Sequence, residues 1–584
     1  MKIVRTLFVA VPALLAACAQ QPPKPSDIDA DAPATKPAAV KPRVVTRAPA
    51  NTPVLPKLEM SQSILFKLLL ADIALQRGQV NVAVQSYLEL ARETRDPRIA
   101  QRATEVAWNA RFVGVAIEAA GIWLAADPES QQARQVLAAL LVNQQRLADA
   151  QPHLEKSLAA DKANVGQSFM QLNALLARHP DKAAVLTLTQ NLAKPYMNVP
   201  EARYSIAQAA AGAGQAKLAL AEAREALRLR PDWEQAALFY GALLQANSNA
   251  EALAFFQDFL KQHPRAMDVR LNYARLLVSE KKYPEARGEF QALLKEFPDN
   301  PDVTLAVGLL SLQLSDFDTA EKQLLHALET DYKDPDAVRF YLGQTNEERQ
   351  RYDEALRWYS SVAGGDQFVA SRARYAGVLV KQGRMADARR YLQEAGRTPP
   401  ERLQFTQVEA QMLRDAGDFS TAFDVLGRAV VANPDAAELL YDYAMIAEKV
   451  DRIDVLETSL RKVIQLRPEY AHAYNALGYT LADRNLRLPE SYSLIEQALK
   501  LAPEDPFIID SMGWVLYRMN QNDAALTFLK RAFEIRADAE IAAHYGEVLW
   551  ATGQQDEARN VWNNALKQSP ANELLLATVK KFSP

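Results

Sequence analysis

At 584 residues the chain exceeds what one hydrophobic core supports, which leaves several domains or a repeat array. Lysine and arginine number 67 against 71 aspartates and glutamates, a net charge of −4, so the basic excess of a general nucleic-acid binder is missing. A single cysteine, Cys18, excludes an intramolecular disulfide and any zinc site built on two or more thiolates.

Residues 1–17 read as a lipoprotein signal peptide. Lys2 and Arg5 lead an apolar run from Leu7 to Ala17 that is too short for a comfortable membrane span. Leu15-Ala16-Ala17-Cys18 resembles the bacterial lipobox, in which the cysteine thiol is alkylated by diacylglycerol and becomes the new amino terminus. Ala19 is not the aspartate that holds many such lipoproteins at the inner membrane. The resemblance therefore implies a covalent lipid on Cys18, no other cofactor, and an anchor in the inner leaflet of the outer membrane, facing the periplasm.

Residues 18–57 follow as a tether. Nine prolines fall between residues 19 and 57, and proline both fixes φ and removes a donor, so this stretch is expected to be disordered and partly polyproline II. At about 3.1 Å per residue it would reach roughly 120 Å.

From residue 58 to 570 the sequence repeats. The small residue that opens the second helix of each unit recurs as Ala83, Ala116, Ala150, Ala184, Ala219, Ala252, Ala286, Ala320, Ala355, Ala388 and Ala422. It continues as Leu456, Ser491, Ala525 and Ala558, always 33 to 35 residues apart. These are the small-residue positions of the tetratricopeptide repeat, and they predict an all-α superhelical solenoid of about 15 helix-turn-helix units. Two helices approach closely only where a side chain is small, and a larger one would overpack at about 1–3 kcal/mol. Gly78, Gly214, Gly383, Gly417 and Gly553 share the inter-helix turn, where a left-handed residue closes the first helix. Prolines such as Pro231, Pro264, Pro298 and Pro468 end the units. Residues 571–584 read as a capping helix with Lys580 and Lys581 on its wet side.

Three places depart from the pattern. Residues 161–199 keep the period but lose much of the consensus; Asp366 follows Gly364-Gly365 where a proline is expected; and residues 483–489 lengthen one turn. Each reads either as a bend or binding loop or as drift at a tolerant turn.

No catalytic chemistry is legible. No two of the six histidines (His153, His179, His263, His326, His472, His544) lie within four residues of one another, so no paired-ligand helix exists and no metal site is expected. The stretch at 212–217 and the Ser279–Lys282 tetrapeptide both fall at repeat turns rather than in phosphate-loop or nucleophile contexts. The expectation is a protein that is not an enzyme, with a groove as its working surface. First helices line the concave face at repeat positions 2, 5, 9 and 12. In the last units these positions include Tyr441, Asn475, Tyr479, Asp510, Trp514, Tyr517, Glu547 and Trp550. Rigid rings beside carboxylates and an amide suit recognition of a peptide or protein surface; packing within the chain is the alternative. The same positions in residues 301–312 are Asp302, Leu305, Leu309 and Leu312, an apolar patch able to hold a helix or the chain's own turns.

Residues 474–484, 510–519 and 539–562 resemble the matching units of the outer-membrane tetratricopeptide lipoproteins typified by LbcA, the binding partner of a periplasmic carboxyl-terminal processing protease. The resemblance implies an adaptor that brings such a protease to peptidoglycan (cell-wall) hydrolases. Its partners would be periplasmic proteins, and nucleic acid would not be among them. A scaffold for polysaccharide export, pilus or outer-membrane protein assembly is the other reading, since repeat architecture does not choose the partner.

Overall fold

The structure is a computed structural model that describes residues 55–330 and 332–582. The signal peptide, Cys18 and the tether as far as residue 54 lie outside the described residues. Among those described there are 31 α-helices, one 3₁₀ turn at Lys194–Tyr196 and no strand. The helices fall into two compact units that divide after Thr330. The first holds eight helix hairpins, from Gln62–Gln76 to Phe317–Glu329. The second holds seven, from Pro335–Glu348 to Gln555–Gln568, followed by a single helix, Glu573–Phe582.

Each hairpin is built at its crossing point. The residue opening the second helix is completely buried in fourteen of the fifteen hairpins, Leu456 and Ser491 included. The first helix supplies the opposing gap. At Gly513 a Cβ would stand 2.5 Å from Leu529 Cγ, and at Gly546 it would run into the Trp562 indole. Ser491 fits where alanine is usual because its hydroxyl donates to the Gly478 carbonyl at 2.6 Å.

The turn between the two helices is equally constant. Thirteen of the fifteen hairpins place a left-handed residue there, and in eight of them it is not glycine: Arg111, Gln145, Lys281, Ser315, Gln350, Asp451, Asn485 and Asn520. The reason is hydrogen bonding. In one such turn the Gln350 N–H reaches the Glu347 carbonyl at 2.9 Å, and the Arg351 N–H reaches that of Asn346 at 2.8 Å. Two carbonyls at the helix end are thereby satisfied, which is what a left-handed cap does.

Each departure in the sequence has a structural counterpart. In residues 161–199 Ala184 is only half-buried, while Leu172 and Phe169 are buried and Phe169 meets Tyr196 edge-on at 5.7 Å. The helices Val165–Leu176 and Lys182–Ala193 pack mainly against Pro200–Gly212 rather than on each other. A groove of about 280 Å³ opens beside them, lined by Asn173, Lys182, Thr189, Ser205 and Gln208. Around Asp366, Gly365 is left-handed and the preceding loop is held by Asp336, which accepts from the Ala363 and Gly364 N–H groups at 3.0 and 2.8 Å. Arg372 caps the short helix Tyr352–Ser361 by donating to the Tyr359, Ser360 and Val362 carbonyls. The longer turn at 483–489 is fastened by Arg487, which donates to Glu457 of the preceding hairpin. Hydrogen bonds from Arg487 and Arg461 outweigh partial burial and hold the Glu457 carboxyl down at about 2.

Candidate functional site

Because the repeat spacing stays between 33 and 35 residues, equivalent positions of successive first helices within a compact unit line up as a stripe. In the second compact unit that stripe has two parts of different character.

The first part is an open groove of about 500 Å³ on the Pro399–Asp415 helix. Its lining includes Gln404, Gln407, Gln411 and Arg414, with Val408 and, from the next first helix, Asp442. Gln407 donates to Asp442 at 3.4 Å and Gln411 to Asp415 at 2.7 Å. Burial raises the Asp442 carboxyl above its usual range, against the hydrogen bond from Gln407. Side-chain amides carry both donors and acceptors, so a row of them matches the alternating N–H and C=O groups of an extended peptide. These four residues sit at positions 2, 5, 9 and 12 of their repeat. Sequence reasoning missed them by stopping at the last units; the same positional rule applied one unit earlier finds them.

The second part, near the carboxyl terminus, is largely packed shut. Asp510, Trp514 and Glu547, expected on a groove, are buried, Trp514 to within 5% of complete. Asp510 Oδ2 lies 2.8 Å from His544 Nδ1, and the Tyr479 hydroxyl lies 3.3 Å from His544 Nε2. Trp514 stacks on the imidazole with centroids 4.3 Å apart. Burial works to lower the His544 pKa, but the Asp510 carboxylate and its hydrogen bond work the other way and the net shift is upward. Sequence reasoning did not single out His544; one histidine on an apolar helix carries no motif. Glu547 pairs with Lys581 at 2.9 Å, and Trp550 stacks on Trp562 at 5.7 Å and lies 6.1 Å from Phe582, so the last helix covers this end.

The remaining expected residues, Tyr441, Asn475, Tyr479, Tyr517 and Trp550, are half-buried. Tyr441 meets Tyr470 edge-on at 5.3 Å, and burial pushes its hydroxyl up to about 12. The stripe thus narrows from an accessible amide groove to a closed aromatic seam, and the residues brought together at the seam are Tyr479, Asp510, Trp514 and His544. The apolar patch expected at 301–312 offers no free surface either, since Leu305, Leu309 and Leu312 are all buried. No group of three or more His, Cys, Asp or Glu side chains among the described residues is arranged to hold a metal ion. No described helix is long and apolar enough to cross a membrane.

The repeat is also recognised by comparison of the sequence with known proteins. The tetratricopeptide-repeat profile matches residues 243–310 and 277–342. The TPR repeat-containing protein PA4667 of Pseudomonas aeruginosa is 32% identical over 497 residues, covering 83% of this chain and 82% of that protein. The cellulose synthase 2 operon protein C of Komagataeibacter xylinus is 23% identical over 359 residues, which are 58% of this chain and only 26% of that protein. Among solved structures, that of Naa15/Naa10 bound to HypK-THB matches 89% of each chain at 14% identity with a TM-score of 0.36. With a third of its residues shared along most of both lengths, the chain belongs to the family of tetratricopeptide-repeat proteins that includes PA4667.

Proposed function

We propose that the protein is a non-catalytic adaptor, held at the outer membrane by a lipid on Cys18, that recruits a carboxyl-terminal processing protease to peptidoglycan hydrolases in the periplasm. Stacked helix hairpins present extended concave surfaces for protein partners. The observation that carries the reading is the open amide groove of Gln404, Gln407, Gln411 and Arg414, whose chemistry suits a peptide backbone. The sequence resemblance supplies the class of partner, and Leu15–Cys18 supplies the anchor.

Affinity capture from a membrane extract, with an inactive protease that traps substrates, tests the adaptor. The expected result is copurification of the protease and a cell-wall hydrolase, with capture reduced about tenfold by the paired substitution Gln407→Ala and Gln411→Ala. Recovery of an export complex in their place would refute it. That second outcome is the assembly-scaffold reading, favoured by the similarity to the cellulose synthase 2 operon protein C. The anchor has its own test: Cys18→Ala is expected to abolish acyl labelling and leave an unprocessed precursor. Undiminished palmitate incorporation would remove the lipid from the account.

A further inference from the structure

The diverged stretch at 161–199 holds the one described hairpin whose two helices do not pack on each other. In the other fourteen they are in close contact; here Val165–Leu176 and Lys182–Ala193 are splayed, and both rest mainly on Pro200–Gly212. The cleft of about 280 Å³ beside them is lined by Asn173, Ala177 and Lys182, and from the two following hairpins by Gln208, Ala209 and Phe239. Asn173 and Gln208 occupy position 9 of successive repeats, the position that Gln411 fills in the amide groove of the second unit.

The polar groups of the cleft are unevenly committed. Thr189 and Ser205, buried in its wall, spend their hydroxyl protons within their own helices, on the Val185 and Glu201 carbonyls at 2.8 and 2.7 Å. Asn173 Nδ2 is buried and has no hydrogen-bond partner, so the cleft lacks an acceptor that a ligand carbonyl would supply. Gln208 donates to the Tyr204 hydroxyl at 3.1 Å, which leaves its own carbonyl oxygen to accept. Lys182 donates to the Ala177 carbonyl at 2.7 Å and keeps two further N–H groups. It is the only charge in the lining among the described residues. Arg178 and Asp181 in the adjoining turn offset one another, and Asp181 is engaged as the cap of Lys182–Ala193. Donor, acceptor and cation thus surround the half-buried Phe239 ring. An extended peptide matches this set. Its main chain offers both C=O and N–H groups, and its side chains alternate in direction, so that one meets Phe239 while a neighbour meets Lys182.

We propose that this cleft is a second peptide-binding groove, which takes an extended segment with an acidic side chain at Lys182 and an apolar one at Phe239. Each compact unit then holds one segment, and a single chain can hold two proteins at once. The proposal rests on the adaptor reading only in that its ligand is a protein segment. The test uses the full chain and two fluorescein-labelled peptides, one alternating Glu with Val and the other Lys with Val, followed by fluorescence anisotropy. The acidic peptide is expected to bind more tightly than the basic one. Gly212→Glu is expected to weaken it at least about tenfold by placing a like charge in the cleft. The melting temperature is expected to hold, since a Cβ at Gly212 meets nothing nearer than Lys182 Cδ at 3.8 Å. Lys182→Glu, at the first position of its helix where a carboxylate is favourable, is expected to reverse the preference to the basic peptide. Both effects are expected to persist with Gln407→Ala and Gln411→Ala present, because the other groove is not involved. The proposal is overturned if the parent does not bind the acidic peptide, or if Gly212→Glu and Lys182→Glu bind it as the parent does. Loss of binding in the Gln407→Ala, Gln411→Ala variant alone overturns it too, by assigning the peptide to the second unit. The adaptor reading fails separately, when affinity capture recovers neither protease nor hydrolase while the peptide still binds.

Discussion

His544 is buried, yet its pKa lies above that of a free imidazole, because Asp510 sits 2.8 Å away and leaves the charged form paired. The consequence for stability has a definite sign. The folded chain holds this proton more tightly than the unfolded one, so the contribution is full below the unfolded pKa and is lost as pH rises through the folded value. Asp510→Asn removes the carboxylate while keeping the shape. Burial then opposes only the weaker pull of the Asp483 and Glu547 carboxylates, and the slope flattens or reverses. Melting curves between about pH 6 and about pH 9 are expected to show parent stability falling along this component and the variant's flat or rising. At the acid end the variant is expected to be less stable by about 3 kcal/mol, the order seen when one member of a buried pair is removed. None of this was legible in the sequence. Asp510 and His544 are 34 residues apart, one in a recognisable position of its repeat and the other next to one, and only the stacking of neighbouring hairpins makes them partners.

At the scale of the helix hairpin, legibility was uneven for a physical reason. Small residues at crossing points are written plainly, since no larger side chain fits without displacement, and fourteen of the fifteen are buried completely. The exception, Ala184, belongs to the stretch that lacks much of the consensus, where the two helices pack mainly against Pro200–Gly212 rather than on each other. The turns are written less plainly. Glycine marks five of them, but the left-handed conformation is held in thirteen, because the hydrogen bonds of the cap fix the backbone whatever the side chain. For Gln350, at φ 60°, that conformation carries a steric cost of about 1–2 kcal/mol that glycine escapes. Gln350→Gly also frees the unfolded chain, which takes back part of the gain. The net expectation is a stabilisation of about 0.5–1 kcal/mol, read from chemical denaturation, and a decrease in stability would show that the side chain contributes more than its backbone strain removes.

Over the whole molecule, the 34-residue period specifies fold class and hairpin number, while the accessible site depends on what each neighbour covers. Repeat positions 2, 5, 9 and 12 are filled by Gln404, Gln407, Gln411 and Arg414 in one hairpin, with Asp510 and Trp514 at two of them three hairpins later. The first set lines an open groove and the second pair is packed shut. Position in the repeat predicts the stripe but not its closure. Closure also changes how the array comes apart. In a simple solenoid each hairpin is coupled only to its neighbours and can fray singly. The contact between Tyr479 and His544 skips a hairpin, joining residues 65 apart. Hydrogen exchange is expected to show the last three hairpins opening as one block, and Tyr479→Phe to divide that block. Independent opening of the final hairpin in the parent would contradict the coupling.

The constancy of the left-handed turn has a different kind of consequence, for how such a chain can vary in length. Thirteen of the fifteen hairpins hold the same left-handed turn, and the 33-to-35 spacing shows that a residue or two can be absorbed at the turns, but a larger change keeps the stripe in register only as a full hairpin. An insertion of a few residues inside a helix would rotate every later stripe position by about 100° per residue, away from whatever the earlier hairpins hold. The reach of this surface is therefore quantised: it can be lengthened by duplication far more readily than by stretching, and a partner of intermediate size must be met by curvature rather than by extra chain.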